Sequence, residues 1–142
     1  MKTFGLVLSG GGVRALAHAG MLKALDEHDL RPVVISGTSG GALVGALYAS
    51  GKTPEQLLDF FKQTPLFKFS MLSLGKMGLI NSSKYPALFE KFLSCTTFEE
   101  LSIPLYVAAT DLLRGQTSQA QNRKLLPQSL SSPGPVGDRS EE

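Results

Sequence analysis

The stretch Val33-Val34-Ile35-Ser36-Gly37-Thr38-Ser39-Gly40-Gly41-Ala42-Leu43-Val44 constrains the fold of this chain more than any other. Three β-branched residues make a short buried strand, and Ala42, Leu43, Val44, Ala46 and Leu47 then carry helical spacing. Between them Gly37-Thr38-Ser39-Gly40-Gly41 reads Gly-x-Ser-x-Gly. A serine on a sharp strand-to-helix turn has strained dihedrals, and glycines on either side let neighbouring backbone pass close to it. The helix that follows aims unpaired N–H groups and the positive end of its dipole at the same point.

A second turn of the same kind precedes it. Phe4 to Leu8 is an apolar run that reads as a strand buried on both faces, as in a parallel sheet, and Gly10-Gly11-Gly12 ends it. From Val13 to about His28, Leu16, Ala19, Leu22 and Leu25 share one helical face, widened by Ala15 and Ala24, until Pro32 stops the helix. Strand, glycine turn, helix, repeated, is the βαβα order of a three-layer α/β/α fold with a mostly parallel sheet, its turns gathered at the C-terminal edge of the strands.

Further along, the helix after Ser39 is expected to reach about Ser50 and end at Gly51. Thr53, Pro54 and Gln56 form a capping box opening another helix, with Leu57, Leu58 and Phe61 facing inward. Pro65 to Ile80 is irregular and apolar. It reads either as a segment packed on the domain or as an interfacial flap, the latter giving a peripheral membrane contact through 65–80. Ser83 caps a helix carrying Leu88, Phe89, Phe92 and Leu93, and Thr97 with Glu100 is expected to open one more helical turn. Ile103 to Thr110 is a third strand with Asp111 at its C-terminal end. From residue 116 to 142 Gln, Ser, Pro and Gly dominate, so the expected organisation is a domain over 1–115 and a low-complexity, disordered tail over 116–142.

Composition narrows the function classes. A net charge of +2 from 14 basic and 12 acidic residues, without long like-charge runs, leaves no footprint for nucleic acid. Cys95 is the only cysteine, so no intrachain disulfide forms, and it reads as a small residue in an apolar helix. The apolar run after Lys2 is broken by Ser9, three glycines and Arg14, which argues against an export signal, and no apolar run approaches the ~20 residues of a membrane span. The expected location is cytoplasmic, peripheral at membranes if the flap reading holds.

Two phosphate-binding patterns compete with a hydrolase. Gly10-x-Gly12-x-x-Ala15 has dinucleotide-fingerprint spacing, but the second strand runs into Ser36-Gly37-Thr38-Ser39 without the carboxylate a ribose requires. Ala46-x-x-x-x-Gly51-Lys52-Thr53 resembles a phosphate loop, yet it follows a helix and not a strand. Successive glycine N–H groups at residues 10 to 12 equally suit an oxyanion hole beside a nucleophilic serine. Both histidines, His18 and His28, precede Ser39, so the Ser, Asp, His order of common α/β hydrolases is absent, and His18 reads as structural.

Leu8-Ser9-Gly10-Gly11-Gly12-Val13-Arg14, Gly37-Thr38-Ser39-Gly40-Gly41 and Leu101 to Leu112 together resemble the patatin-like phospholipase family in order and spacing, over roughly residues 4 to 115. The resemblance implies a lipid acyl hydrolase acting on phospholipid or other fatty-acyl esters through a Ser-Asp dyad, with no metal or other cofactor. It maps the nucleophile onto Ser39 and the oxyanion hole onto Gly10, Gly11 and Gly12, with Arg14, Gly37 and Gly41 in support. The family's catalytic aspartate lies in an Asp-Gly-Gly or Asp-Gly-Ala motif after a Thr-Asp-Leu segment. Here Thr110-Asp111-Leu112 matches that segment, and no Asp-Gly occurs. Asp111 is the stand-in base to be considered, and Asp138 in the tail a poor one. The sequence thus reads as the N-terminal part of such a domain, truncated before its aspartate, with weak or no activity. The alternative is a catalytically dead remnant or a lipid- or protein-binding domain.

Overall fold

The structure is a computed structural model and describes residues 3–63, 91–93, 95–111 and 116–120. The strands are β1 (Gly5–Leu8), β2 (Val34–Thr38), β3 (Leu105–Asp111) and β4 (Gln116–Ala120). The helices are α1 (Leu16–Glu27), entered through a 3-10 turn at Gly12–Ala15, α2 (Gly40–Ala49) and α3 (Pro54–Gln63). The sheet runs β1-β2-β3-β4. β1, β2 and β3 are parallel, with Leu8 opposite Gly37 and Thr38 opposite Ala108, and β4 is antiparallel to β3. This is the α/β architecture with a mostly parallel sheet expected from the βαβα order.

Helix α2 is central. Nine of its ten residues are buried, as expected for a helix that is apolar around most of its circumference. It lies close on the sheet because its sheet-facing side is glycine. A Cβ on Gly45 would meet Ile35 Cγ2 and Leu105 Cδ1, each at 3.1 Å, and one on Gly37 would come within 2.8 Å of the Ala42 backbone. Helices α1 and α3 flank it in one core with Leu8, Ile35 and Leu105. Phe60 stands edge-on to Phe61 and Phe92, with ring centroids 5.4 and 5.0 Å apart. Tyr48 of α2 donates to Asp26 Oδ1 of α1 at 2.6 Å, and Lys23 of α1 meets Glu55 of α3 at 3.3 Å on the surface.

The helix ends follow local chemistry. Gln56 N donates to Thr53 Oγ1 and Thr53 N to Gln56 Oε1, at 3.4 and 3.0 Å, which is the expected capping box. Gly51, at φ +91, follows the C-cap of α2, and Lys52 N closes on Leu47 O at 3.1 Å. Helix α1 stops at Asp29, φ 54, before Pro32 can act. Leu30 N returns to Leu25 O at 2.9 Å.

Several expectations are corrected. Gln116–Ala120, assigned to a disordered tail, form β4; an edge strand is held by backbone pairing and needs no apolar alternation. The apolar run of β1 is not buried on both faces. Leu8 is buried, but Val7 is 80% exposed, because the described helices share one core on the other side of the sheet. The described residues hold the sheet and one of the helical layers of this α/β fold. Leu58 points outward and Phe60 takes the inward place on α3. Glu100 does not open a helical turn but accepts from Thr96 N at 2.8 Å within an irregular turn, and Cys95 lies beside it outside any helix. The 65–80 stretch, the Ser83 helix start and Asp138 lie outside the described residues.

Candidate active site

β1 and β2 are neighbours and parallel, so the turns that follow them meet at one edge of the sheet. Ser39 has φ 50 and ψ −125, one of two non-glycine residues with positive φ among those described. A side chain in that region is strained, and strain of this kind persists only where surrounding structure over-determines it. Here the surroundings are the glycines. A Cβ on Gly40 would stand 2.7 Å from Ala15 Cβ and 3.1 Å from Gly12 O, and one on Gly41 would overlap the Leu8 carbonyl. Only glycine at both positions lets α2 start this close to the first turn.

The hydroxyl of Ser39 makes no hydrogen bond among the described residues. Ser39 is the N-cap residue of α2, where serine ordinarily bonds back to the helix, yet it makes no side-chain cap bond. Its carbonyl accepts from Ala42 N and Leu43 N at 3.0 and 3.2 Å. The N–H groups of Gly40 and Gly41 belong to the first turn and have no intrahelical acceptor. The helix end therefore offers partial positive charge beside an exposed hydroxyl.

The first glycine turn adjoins it. A Cβ on Gly10 would lie 3.1 Å from Ser39 Cβ and 3.5 Å from Thr38 O. Gly12 is at φ +56 with open space around it, so glycine there serves the backbone and not packing. Arg14 holds the turn through its backbone, N to Gly11 O at 3.1 Å, while its side chain is exposed. Gly37 underlies the turn by letting Ala42 sit on β2. His18, a structural residue by its sequence context, has a specific partner. It lies in the first turn of α1, and its Nε2 donates to Ser9 O at 2.9 Å. Asp111 ends β3 beyond the level of Thr38, whose partner on that strand is Ala108 and whose Oγ1 reaches Ala108 O at 3.4 Å.

A family model described as patatin-like phospholipase matches residues 6–135, covering both glycine turns and the Ser39 elbow. The chain belongs to that family. An NTE family protein of Mycobacterium tuberculosis is 30% identical over 136 residues, 92% of this chain and 38% of its own length. A lysophospholipase of Cryptococcus neoformans is 38% identical over 107 residues, 75% of this chain and 6% of its own. The neuropathy target esterase of Drosophila grimshawi is 30% identical over 117 residues, 78% of this chain and 8% of its own. This patatin-like chain thus spans well under half the length of these relatives. The solved structure of the type III effector protein ExoU shares its fold, with a TM-score of 0.54 at 20% identity over 81% of this chain and 34% of that one.

Proposed function

We propose that this chain carries the nucleophile and oxyanion side of a lipid acyl hydrolase, with Ser39 as nucleophile. The observation that carries the reading is the strained Ser39, its hydroxyl free of the capping role, set against Gly10. Ser39 Oγ attacks the ester carbonyl carbon and its proton passes to a base. The carbonyl oxygen takes up the negative charge against N–H groups of Gly10 to Gly12 and the start of α2. Collapse of that adduct breaks the ester C–O bond, the alcohol leaves with a proton, and water then releases the fatty acid from the acyl-serine. A fatty-acyl ester substrate is supported by the family and by the lysophospholipase among its relatives. The apolar 65–80 stretch would be the lipid contact of a cytoplasmic, membrane-peripheral protein.

The base is the weak point of these 142 residues. The family's dyad uses an aspartate in an Asp-Gly motif, which this sequence lacks, and a positioned base commonly contributes ~10²–10⁴ in rate. Slow turnover of a short-chain nitrophenyl ester is therefore expected, with fluorophosphonate labelling confined to Ser39 and lost in Ser39→Ala. Labelling that persists in Ser39→Ala overturns the nucleophile assignment. Fast turnover abolished by Asp111→Asn would instead make Asp111 the base.

A further inference from the structure

We infer that His18 is a positioning residue that aims the Gly10 N–H at the substrate oxygen; this rests on Ser39 being the nucleophile. The imidazole Nε2 lies 2.9 Å from the Ser9 carbonyl oxygen. A carbonyl only accepts, so Nε2 carries the proton and acts as donor, and Nδ1 is the ring nitrogen left with a lone pair in the neutral form. His18 therefore cannot serve Ser39 as a base through Nε2.

The carbonyl it holds is not an arbitrary one. Ser9 C=O and Gly10 N–H are the two ends of a single peptide plane, and in a trans peptide they point in opposite directions. The chain has no cis peptide bond among the described residues. Fixing the Ser9 oxygen toward α1 thus fixes the Gly10 hydrogen on the far side, at the residue whose absent Cβ would stand 3.1 Å from Ser39 Cβ. The start of α2 also lies close against the same carbonyl: a Cβ on Gly41 would come within 2.6 Å of Ser9 O, so only glycine there lets the helix sit beside this peptide. The His18 hydrogen bond is the restraint that holds this peptide plane in one orientation. A hydrogen bond accepted at the carbonyl also polarises the amide and strengthens its N–H as a donor.

The test uses the full chain with His18→Gln, which keeps a side-chain N–H donor, and His18→Leu, which keeps bulk without one. Nitrogen NMR of the wild-type ring should show the Nε2–H tautomer. In His18→Leu the Gly10 amide resonance should move and its hydrogen exchange rise, and His18→Gln should restore both. Fluorophosphonate labelling of Ser39 should slow at least about 10-fold in His18→Leu, since small misplacements at a reacting centre cost this much or more. In His18→Gln it should stay within about threefold of wild type. An Nδ1–H tautomer, an unmoved Gly10 amide in His18→Leu, or equal labelling in the two variants overturns the proposal. If His18→Leu does not fold, the tautomer and the His18→Gln amide shift decide. Wild-type labelling that is absent from Ser39, with the Gly10 response intact, would count against the nucleophile and leave the positioning of the peptide established.

Discussion

At Ser39 the backbone and the side chain make opposite demands. The hydroxyl is needed for chemistry, but φ 50 with ψ −125 is a conformation that suits glycine. A non-glycine residue in such a region costs about 1–3 kcal/mol. Ser39→Gly should therefore melt higher than Ser39→Ala, which keeps the Cβ and the strain, although both lose labelling. A thermal melt of the two variants checks this, and a glycine variant melting below the alanine one would mean that the turn is not strained. The serine and its glycines were legible in the sequence because the backbone there tolerates few residue types. His18 was legible only as structural, since a histidine in the first turn of a helix looks the same whatever it touches. At Arg14 the amide donates to Gly11 O while the side chain is exposed, so the bond seen there is one that any non-proline residue could make.

Among the elements, glycine has different meanings in α1 and α2. Gly20 of α1 is exposed with nothing within 4 Å of a built Cβ, whereas Gly41 of α2 is filled by the Leu8 and Ser9 carbonyls. Gly20→Ala should stabilise the fold by about 0.5–1 kcal/mol through helix propensity. Gly41→Ala should cost several times that, by pushing α2 off β1, and denaturant titration of both reads the contrast. The α1–α2 contact has its own pH signature. Burial, and then the Asp26 carboxylate, push the Tyr48 hydroxyl from 10.0 up to about 12. A group whose value is raised on folding contributes its full stability below its unfolded value and loses it as pH rises through the folded one. Stability should thus fall between pH 10.0 and about 12. Tyr48→Phe should be less stable at neutral pH by roughly 1–2 kcal/mol and show a shallower alkaline loss; melting against pH distinguishes the two. Element order was readable because Gly, Pro and the Thr53–Gln56 pair punctuate it. The strand β4 was not, because Gln116 to Ala120 carry no apolar period and a backbone ladder leaves no mark in residue type.

On the scale of the whole molecule, the unread feature was which sheet face the helices cover. The run Phe4 to Leu8 is apolar throughout and cannot say that Leu8 is buried while Val7 is 80% exposed; that depends on the crossovers placing α1, α2 and α3 in one core. The two turns of the candidate site, by contrast, both fall in the first 49 residues, on strands joined by one crossover helix. The pairing of Thr38 with Ala108 spans 70 residues. Closing short loops before long ones is the cheaper route for a chain. The β1-α1-β2-α2 unit is therefore expected to form the folding nucleus, with φ-values of about 0.5–0.8 at Leu8, Ile35 and Leu47 against about 0–0.3 at Leu105; the reverse ranking would place the nucleus at β3. During synthesis the elbow and its glycine turn would then come together while the strand bearing Asp111 was still inside the ribosome.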